Sequence, residues 1–218
     1  MKSKLIALAL FAFTSATVAL LPAYQSVGGI TPADPPVIDP ASNDQSRIDV
    51  VFVLDTTGSM SGLIQAAREK IWSIATTMAS AQSAPEIRMG LVAYRDRGDA
   101  YVTRVVDLSS DLDSMYATLM DFQADGGGDG PESVNQALYD AVHKVSWSQQ
   151  AGTYKVVFLV GDAPPHMDYQ DDVKYPATLS AAKQKGIVVN AIQSGEQRDT
   201  TPAWQQIATL GAGHYFQV

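Results

Sequence analysis

The stretch Arg47-Ile-Asp-Val-Val-Phe-Val-Leu-Asp-Thr-Thr-Gly-Ser-Met60 decides the fold. It is an apolar, β-branched run that stops abruptly at Asp55, the pattern of a buried parallel strand that carries a carboxylate to the rim of a sheet. Val156-Val-Phe-Leu-Val-Gly-Asp-Ala-Pro-Pro-His166 repeats the pattern and ends its apolar run at Asp162. A third segment, Gly126-Gly-Gly-Asp-Gly-Pro-Glu132, is a glycine loop holding Asp129. If the three loops meet, they form a cluster of hard oxygen ligands, and such clusters bind Mg²⁺, Mn²⁺ or Ca²⁺.

Outward from Asp55 the hydrophobic period alternates. Ile48 to Leu54 reads as a strand, and Ser61 to Ala81 as a helix with Leu63, Ala67, Ile71, Ile74 and Met78 along one face. Further strands are predicted at Ile87 to Tyr94, Tyr101 to Leu108, Tyr154 to Val160, Ile187 to Gln193 and His214 to Val218. Helices are predicted at Leu112 to Phe122, after the Ser109-Ser110-Asp111 cap signals, and at Ser133 to Val145, Ala177 to Lys185 and Pro202 to Leu210. The series predicts an α/β fold, a doubly wound, mostly parallel sheet with helices on both faces. One strand pair cannot be parallel: only Arg95 to Ala100 separates the second strand from the third, and a parallel crossover needs about a dozen residues. That pair must be an antiparallel edge hairpin. The following helix then climbs back, so Asp55, the Gly126 to Glu132 loop and Asp162 share the carboxyl edge of the sheet, where ligands of open α/β folds bind.

A chain of 218 residues with 46% hydrophobic composition is enough for one such domain with a real core. The absence of cysteine excludes disulfide scaffolds, thiolate zinc sites and cysteine nucleophiles. His143, His166 and His214 are too far apart for metal-ligand spacing. Met1-Lys-Ser-Lys4 followed by the apolar stretch Leu5 to Leu21 reads as a secretory signal within residues 1–23, with an uncleaved membrane anchor through residues 5–21 as the alternative. Residues 24–46, with Pro32, Pro35, Pro36 and Pro40, read as a Pro-rich linker, leaving 47–218 as the domain. The expected location is secreted or periplasmic. Signal cleavage removes Lys2 and Lys4, taking the net charge from −8 to −10, or 13 basic against 23 acidic residues. Such a surface repels phosphate backbones and anionic lipid, so nucleic acid is not an expected partner, and membrane contact is expected only through an uncleaved N-terminal segment.

Asp55, Thr57 and Ser59 bring one carboxylate and two hydroxyls to a strand-to-helix turn. A simple helix N-cap would also account for them, but not for the other two loops. Together the three motifs resemble a von Willebrand factor A-type domain over about Ile48 to Val218. The metal-ion-dependent adhesion site of that family uses Asp-x-Ser-x-Ser after the first strand, a threonine from a glycine-bearing loop and an aspartate after the fourth strand. The resemblance matches Asp55, Thr57 and Ser59 to the first element and Asp162 to the last, with Asp129 where the threonine is expected. It implies metal ligation by Asp55, Thr57, Ser59, Asp129 and Asp162. The implied ion is a divalent cation, Mg²⁺ first with Mn²⁺ or Ca²⁺ as alternatives, whose open position is filled by an acidic side chain of a protein partner.

Two departures from the family pattern matter. Thr57 keeps the hydroxyl of the usual serine. Asp129 adds a carboxylate, which would hold the cation more tightly and weaken its attraction for an acidic ligand. Set against the resemblance, the domain is expected to lack the family's usual last helix after Tyr215-Phe-Gln-Val218 and to expose an apolar flank there. Arg97-Gly98-Asp99 spells an integrin-recognition tripeptide but fills the required hairpin turn. Asp168, Asp171 and Asp172 read as a solvated acidic loop or a rim that tunes ligand charge, and His166 as a loop hydrogen-bonding residue. Trp72, Trp147 and Trp204 read as packing residues. The functional expectation is a non-enzymatic, divalent-metal-dependent protein-binding module for adhesion or scaffolding. The alternatives are a metal-dependent hydrolase using the same carboxylates, with Glu132 or His166 as base, and a purely structural ion.

Overall fold

The computed structural model describes residues 47–80, 85–128 and 130–218. The expected signal or anchor, the Pro-rich linker and Asp129 lie outside the described residues.

Six strands form one sheet in the order β3-β2-β1-β4-β5-β6. They are β1 (Arg47–Asp55), β2 (Glu86–Tyr94), β3 (Thr103–Ser109), β4 (Tyr154–Gly161), β5 (Ile187–Gln193) and β6 (Ala212–Gln217). β1 lies at the centre, parallel to β2 and β4, while β4, β5 and β6 continue the parallel set. β2 and β3 are antiparallel, as the short connection between them requires.

Alternate residues of β1 feed two cores, because successive side chains of a strand point to opposite faces. Val50, Phe52 and Leu54 pack with Ile64, Ala67, Ile71 and Ala75 of α1 (Ile64–Ala79) and Met115 and Leu119 of α2 (Leu112–Asp121). Val51 and Val53 pack on the other face with α3 (Val134–His143), α4 (Tyr175–Gln184) and α5 (Thr200–Leu210), through residues such as Leu138, Leu179 and Trp204. The sheet is therefore doubly wound. At its lower end Asp49, fully buried, accepts two bonds from Arg88 at 2.9 and 2.6 Å and one from Ser148 N at 2.7 Å.

The differences from the sequence reading lie at element ends. α1 starts at Ile64 because Gly58–Gly62 first makes a tighter 3-10 turn that buries Met60. α4 starts at Tyr175, where Pro176 suits the first helical turn and Asn135 Oδ1 accepts Tyr175 N at 2.8 Å. β6 starts at Ala212 because Gly211 and Gly213 let its backbone lie directly against Val189, where a side chain on Gly213 would clash with the Val189 carbonyl. Asp111 does cap α2, accepting Ser114 N at 3.1 Å. Beside α1, a mostly apolar hollow is lined by Leu63, Ala66, Ala67, Lys70, Ser194 and Val218.

Candidate metal centre

Asp55 is the last residue of β1, Asp162 follows β4, and both stand at the carboxyl edge of adjacent parallel strands. Between them runs one chain of hydrogen bonds. Asp55 Oδ1 accepts Thr57 N at 2.9 Å and Thr57 Oγ1 at 2.6 Å. Thr57 Oγ1 lies 3.1 Å from Ser59 Oγ, which donates to Asp162 Oδ1 at 2.9 Å. Asp162 Oδ2 accepts Gln197 Nε2 at 3.1 Å. Thr57 occupies the capping position of the 3-10 turn but makes no side-chain cap bond. Its hydroxyl is committed to the site, so the simple N-cap reading fails.

Two glycines allow this close approach. A Cβ on Gly161 would sit 2.5 Å from Tyr94 Oη, 2.7 Å from Asp55 Cβ and 2.8 Å from Asp55 Oδ2. A Cβ on Gly58 would sit 2.7 Å from the Gly126 carbonyl, which instead accepts Gly58 N at 3.0 Å. That bond ties the glycine loop to the β1 turn, and Asp125 N to Thr56 O at 3.0 Å ties it again.

The structure thus brings together Asp55, Thr57, Ser59 and Asp162. Asp129 is outside the described residues, and the described acidic residue from its loop that reaches the site is Glu132. Glu132 N donates to Pro164 O at 2.9 Å and Glu132 O accepts His166 N at 3.0 Å, a strand-like bridge to the segment after β4. Its side chain turns inward and is 2% exposed. A cavity of about 220 Å³ is lined by Glu132, Ser59, Asp162, Ala163, Gln197 and Thr200, among others. The signal for Glu132 was its place as the last acidic residue before α3, at the point where the loop returns to the sheet.

Burial raises the Asp55 carboxyl to about 7, opposed by the Thr57 bonds and assisted by Asp162. Glu132 is raised to about 9, again first by burial and then by the charges of Asp55 and Asp96. Asp162 is raised by burial, and the Tyr94 hydroxyl beside them is pushed well above its usual value by burial and then by Asp55. Burial is the first cause in each case, and the charges of neighbouring carboxylates add to it for Asp55, Glu132 and Tyr94. Asp55 Oδ2, Glu132 Oε2 and Tyr94 Oη are buried without a hydrogen bond of good geometry, although the Tyr94 hydroxyl stands near enough to the Asp55 carboxyl to oppose its rise slightly. Orphaned carboxyl oxygens next to two hydroxyls are donors of the kind a hard divalent cation takes. Among the described residues no three Asp, Glu or His side chains form a metal cage by themselves, so the donor set depends on the hydroxyls of Thr57 and Ser59.

The neighbouring features are structural. Arg97 pairs with Asp171 at 2.9 Å and Asp172 at 2.6 Å and stacks 4.0 Å from the Tyr169 ring centroid. Asp99 Oδ2 accepts Asp96 N at 3.0 Å and Gly127 N at 2.8 Å. The Arg-Gly-Asp turn is therefore an internal staple. Within the acidic loop Asp172 is buried against Arg97, while Asp171 and Asp168 remain largely exposed, Asp168 accepting from His166 Nδ1 at 2.7 Å. Trp204 is fully buried and its Nε1 donates to Ala163 O at 3.0 Å, fixing the turn that follows Asp162.

A family model for the von Willebrand factor A domain matches residues 49–217. The chain is similar to an ariadne-like RING finger protein of Acanthamoeba polyphaga mimivirus, 27% identical over 124 residues, covering 57% of this chain and 12% of that protein. It is also similar to the alpha-protein kinase vwkA of Dictyostelium discoideum, 27% identical over 121 residues, covering 55% of this chain and 19% of that protein. The chain spans less than a fifth of the length of either relative. Among solved structures it resembles proximal thread matrix protein 1 from the mussel byssus with a zinc-occupied MIDAS motif. There the TM-score is 0.62 at 17% identity, over 79% of this chain and 42% of that one. At that identity the likeness concerns the fold.

Proposed function

The chain belongs to the von Willebrand factor A domain family, and from that premise we propose that it is a divalent-metal-dependent protein-binding module of the adhesion or scaffold type. The observation that carries the reading is the hydrogen-bonded series Asp55, Thr57, Ser59 and Asp162, which runs beside an Asp55 Oδ2 buried without a hydrogen bond of good geometry. Asp55, Thr57, Ser59 and Asp162 would hold the ion. When bound, it would supply an electrophilic position open to an oxygen donor of a partner. Donors that are all hard oxygens favour Mg²⁺, with Mn²⁺ or Ca²⁺ next, and the zinc-occupied mussel protein makes Zn²⁺ a necessary comparison.

The family is often involved in protein–protein interaction and is generally non-enzymatic. His166, the candidate base of the hydrolase alternative, is 2% exposed, bonded to Asp168 and stacked 3.9 Å from Tyr169, which argues against a proton-transfer role. A basic N-terminus followed by an apolar run within residues 1–23 supports a secreted or periplasmic location. The test is affinity capture from the native envelope and exterior fractions with wild type and Asp55→Ala, with and without EDTA. A partner retained only by metal-loaded wild type supports the reading. Equal retention by all forms overturns it.

A further inference from the structure

We infer that Gln197 is a positioning residue of the metal centre, whose side-chain amide fixes the Asp162 carboxylate and thereby makes the site select a small, octahedral cation over Ca²⁺. This rests on the metal-binding reading above and deepens it, naming a residue outside the family motif and the property of the ion that it sets.

Asp162 is held at three points. Its Oδ1 accepts Ser59 Oγ at 2.9 Å, its Oδ2 accepts Gln197 Nε2 at 3.1 Å, and its backbone carbonyl accepts the buried Thr200 Oγ1 at 2.8 Å. Thr200 fixes the main chain. The other two donors reach different oxygens from different turns, Ser59 after β1 and Gln197 between β5 and α5, and so fix the rotation of the carboxylate. Oδ1 is thereby turned toward the series of Ser59, Thr57 and Asp55, and Oδ2 toward the amide. Gln197 and Asp162 line the same cavity of about 220 Å³.

The turn that carries Gln197 is firmly built, although the side chain itself stands at the surface. The Gln197 carbonyl accepts Gln193 Nε2 at 2.9 Å and Thr200 N at 3.3 Å. Gln193 is fully buried, and its Oε1 accepts Thr201 Oγ1 and Tyr215 Oη, each at 2.9 Å. Parting a buried amide from its partners leaves unmet polar groups, so Gln193 anchors the turn. Gly195, at φ +79°, folds the turn back on itself, and a Cβ there would come within 2.8 Å of Gln197 Oε1. The backbone therefore presents Gln197 to Asp162.

A carboxylate held in this way offers the cation one oxygen and cannot swing to embrace it with both. Mg²⁺ demands near-ideal octahedral geometry and is served by single carboxylate oxygens and waters, whereas Ca²⁺ takes more ligands and accepts a carboxylate through both oxygens. Fixing Asp162 thus favours the smaller ion. Groups that orient a metal ligand are typically worth about 10–100-fold in affinity.

The test is calorimetry of the full chain with Mg²⁺ and with Ca²⁺. It compares wild type with Gln197→Met, which keeps the length but loses the amide, and with Gln197→Asn, whose amide falls one carbon short. Both variants should bind Mg²⁺ about tenfold more weakly than wild type and Ca²⁺ within about twofold of it. Their urea midpoints in EDTA should match wild type, because the substituted side chain is exposed. A merely structural turn would weaken both ions alike. If Mg²⁺ affinity is unchanged in both variants, if Mg²⁺ and Ca²⁺ fall by the same factor, or if wild type binds Ca²⁺ more tightly than Mg²⁺, the inference is overturned and the metal-binding reading stands. If wild type binds no divalent ion at all, that reading falls and takes the inference with it.

Discussion

Removing the cation should make this domain less stable as pH rises through neutrality. The Asp55 carboxyl is raised from 3.8 to about 7 in the fold, chiefly by burial. The metal-free native state therefore keeps its proton at pH values where the unfolded chain has lost it. For a carboxyl raised on folding, stability is full below the unfolded value and falls as pH climbs toward the folded one. A difference of about three pH units at about 1.4 kcal/mol each is roughly 4 kcal/mol. That is a large part of the roughly 5–15 kcal/mol by which domains are stable. Glu132, raised from 4.5 to about 9, continues the loss above pH 7. His143 is lowered by burial and by Lys185 and acts in the opposite sense, but it is exposed and cancels in a comparison of variants. The assay is urea denaturation at pH 5 and pH 8, in EDTA and in Mn²⁺, of wild type and Asp55→Asn. In EDTA the wild-type midpoint should fall between pH 5 and pH 8. Asp55→Asn, which removes the buried charge, should then be the more stable protein at pH 8. Mn²⁺ at about a hundred times its Kd should return about 2.7 kcal/mol to wild type and nothing to Asp55→Asn. A wild-type midpoint that is flat or rises with pH in EDTA, or an Asp55→Asn variant less stable at pH 8, would refute the reasoning.

Other substitutions separate the site from its scaffold. Gly161→Ala places a methyl within 2.8 Å of Asp55 Oδ2 and 2.5 Å of Tyr94 Oη; it should cost about 1–3 kcal/mol in chemical denaturation and weaken metal binding with it. Asp49→Ala strips Arg88 and Ser148 N of their buried acceptor at the other end of the sheet. It should cost about 3 kcal/mol, while calorimetry finds the metal affinity unchanged. Asp99→Ala frees Asp96 N and Gly127 N. It should lower stability by about 1–2 kcal/mol and increase amide exchange in the Gly126 to Gly128 backbone, and a free Arg-Gly-Asp peptide should not compete with any partner of the folded domain.

The fold was legible because two facts left little freedom. Ile48 to Leu54 is apolar on both faces, which requires covering on both faces, and Arg95 to Ala100 is too short for a crossover. Element ends were less legible, since they depend on contacts distant in sequence, such as Asn135 with Tyr175 N and Gly213 with Val189. Within the site, Asp55, Thr57, Ser59 and Asp162 follow directly from strand ends and turn spacing. Glu132 does not: the glycine loop offers two acidic residues, and the inward one is selected by backbone bonds to Pro164 and His166 that no local pattern encodes. The Arg-Gly-Asp turn has the same lesson in reverse, because its partners Asp171, Asp172 and Gly127 are all remote in the chain.

Metal content after equilibrium dialysis tests the central claim most directly. Wild type and Asp55→Ala are dialysed against Mg²⁺, Mn²⁺, Ca²⁺ and Zn²⁺ in turn, and bound metal per chain is measured alongside far-ultraviolet circular dichroism. One divalent cation per wild-type chain, and none on an equally folded Asp55→Ala, is the predicted result. A wild-type chain that retains none of the four, or an Asp55→Ala chain that retains as much as wild type, would contradict it.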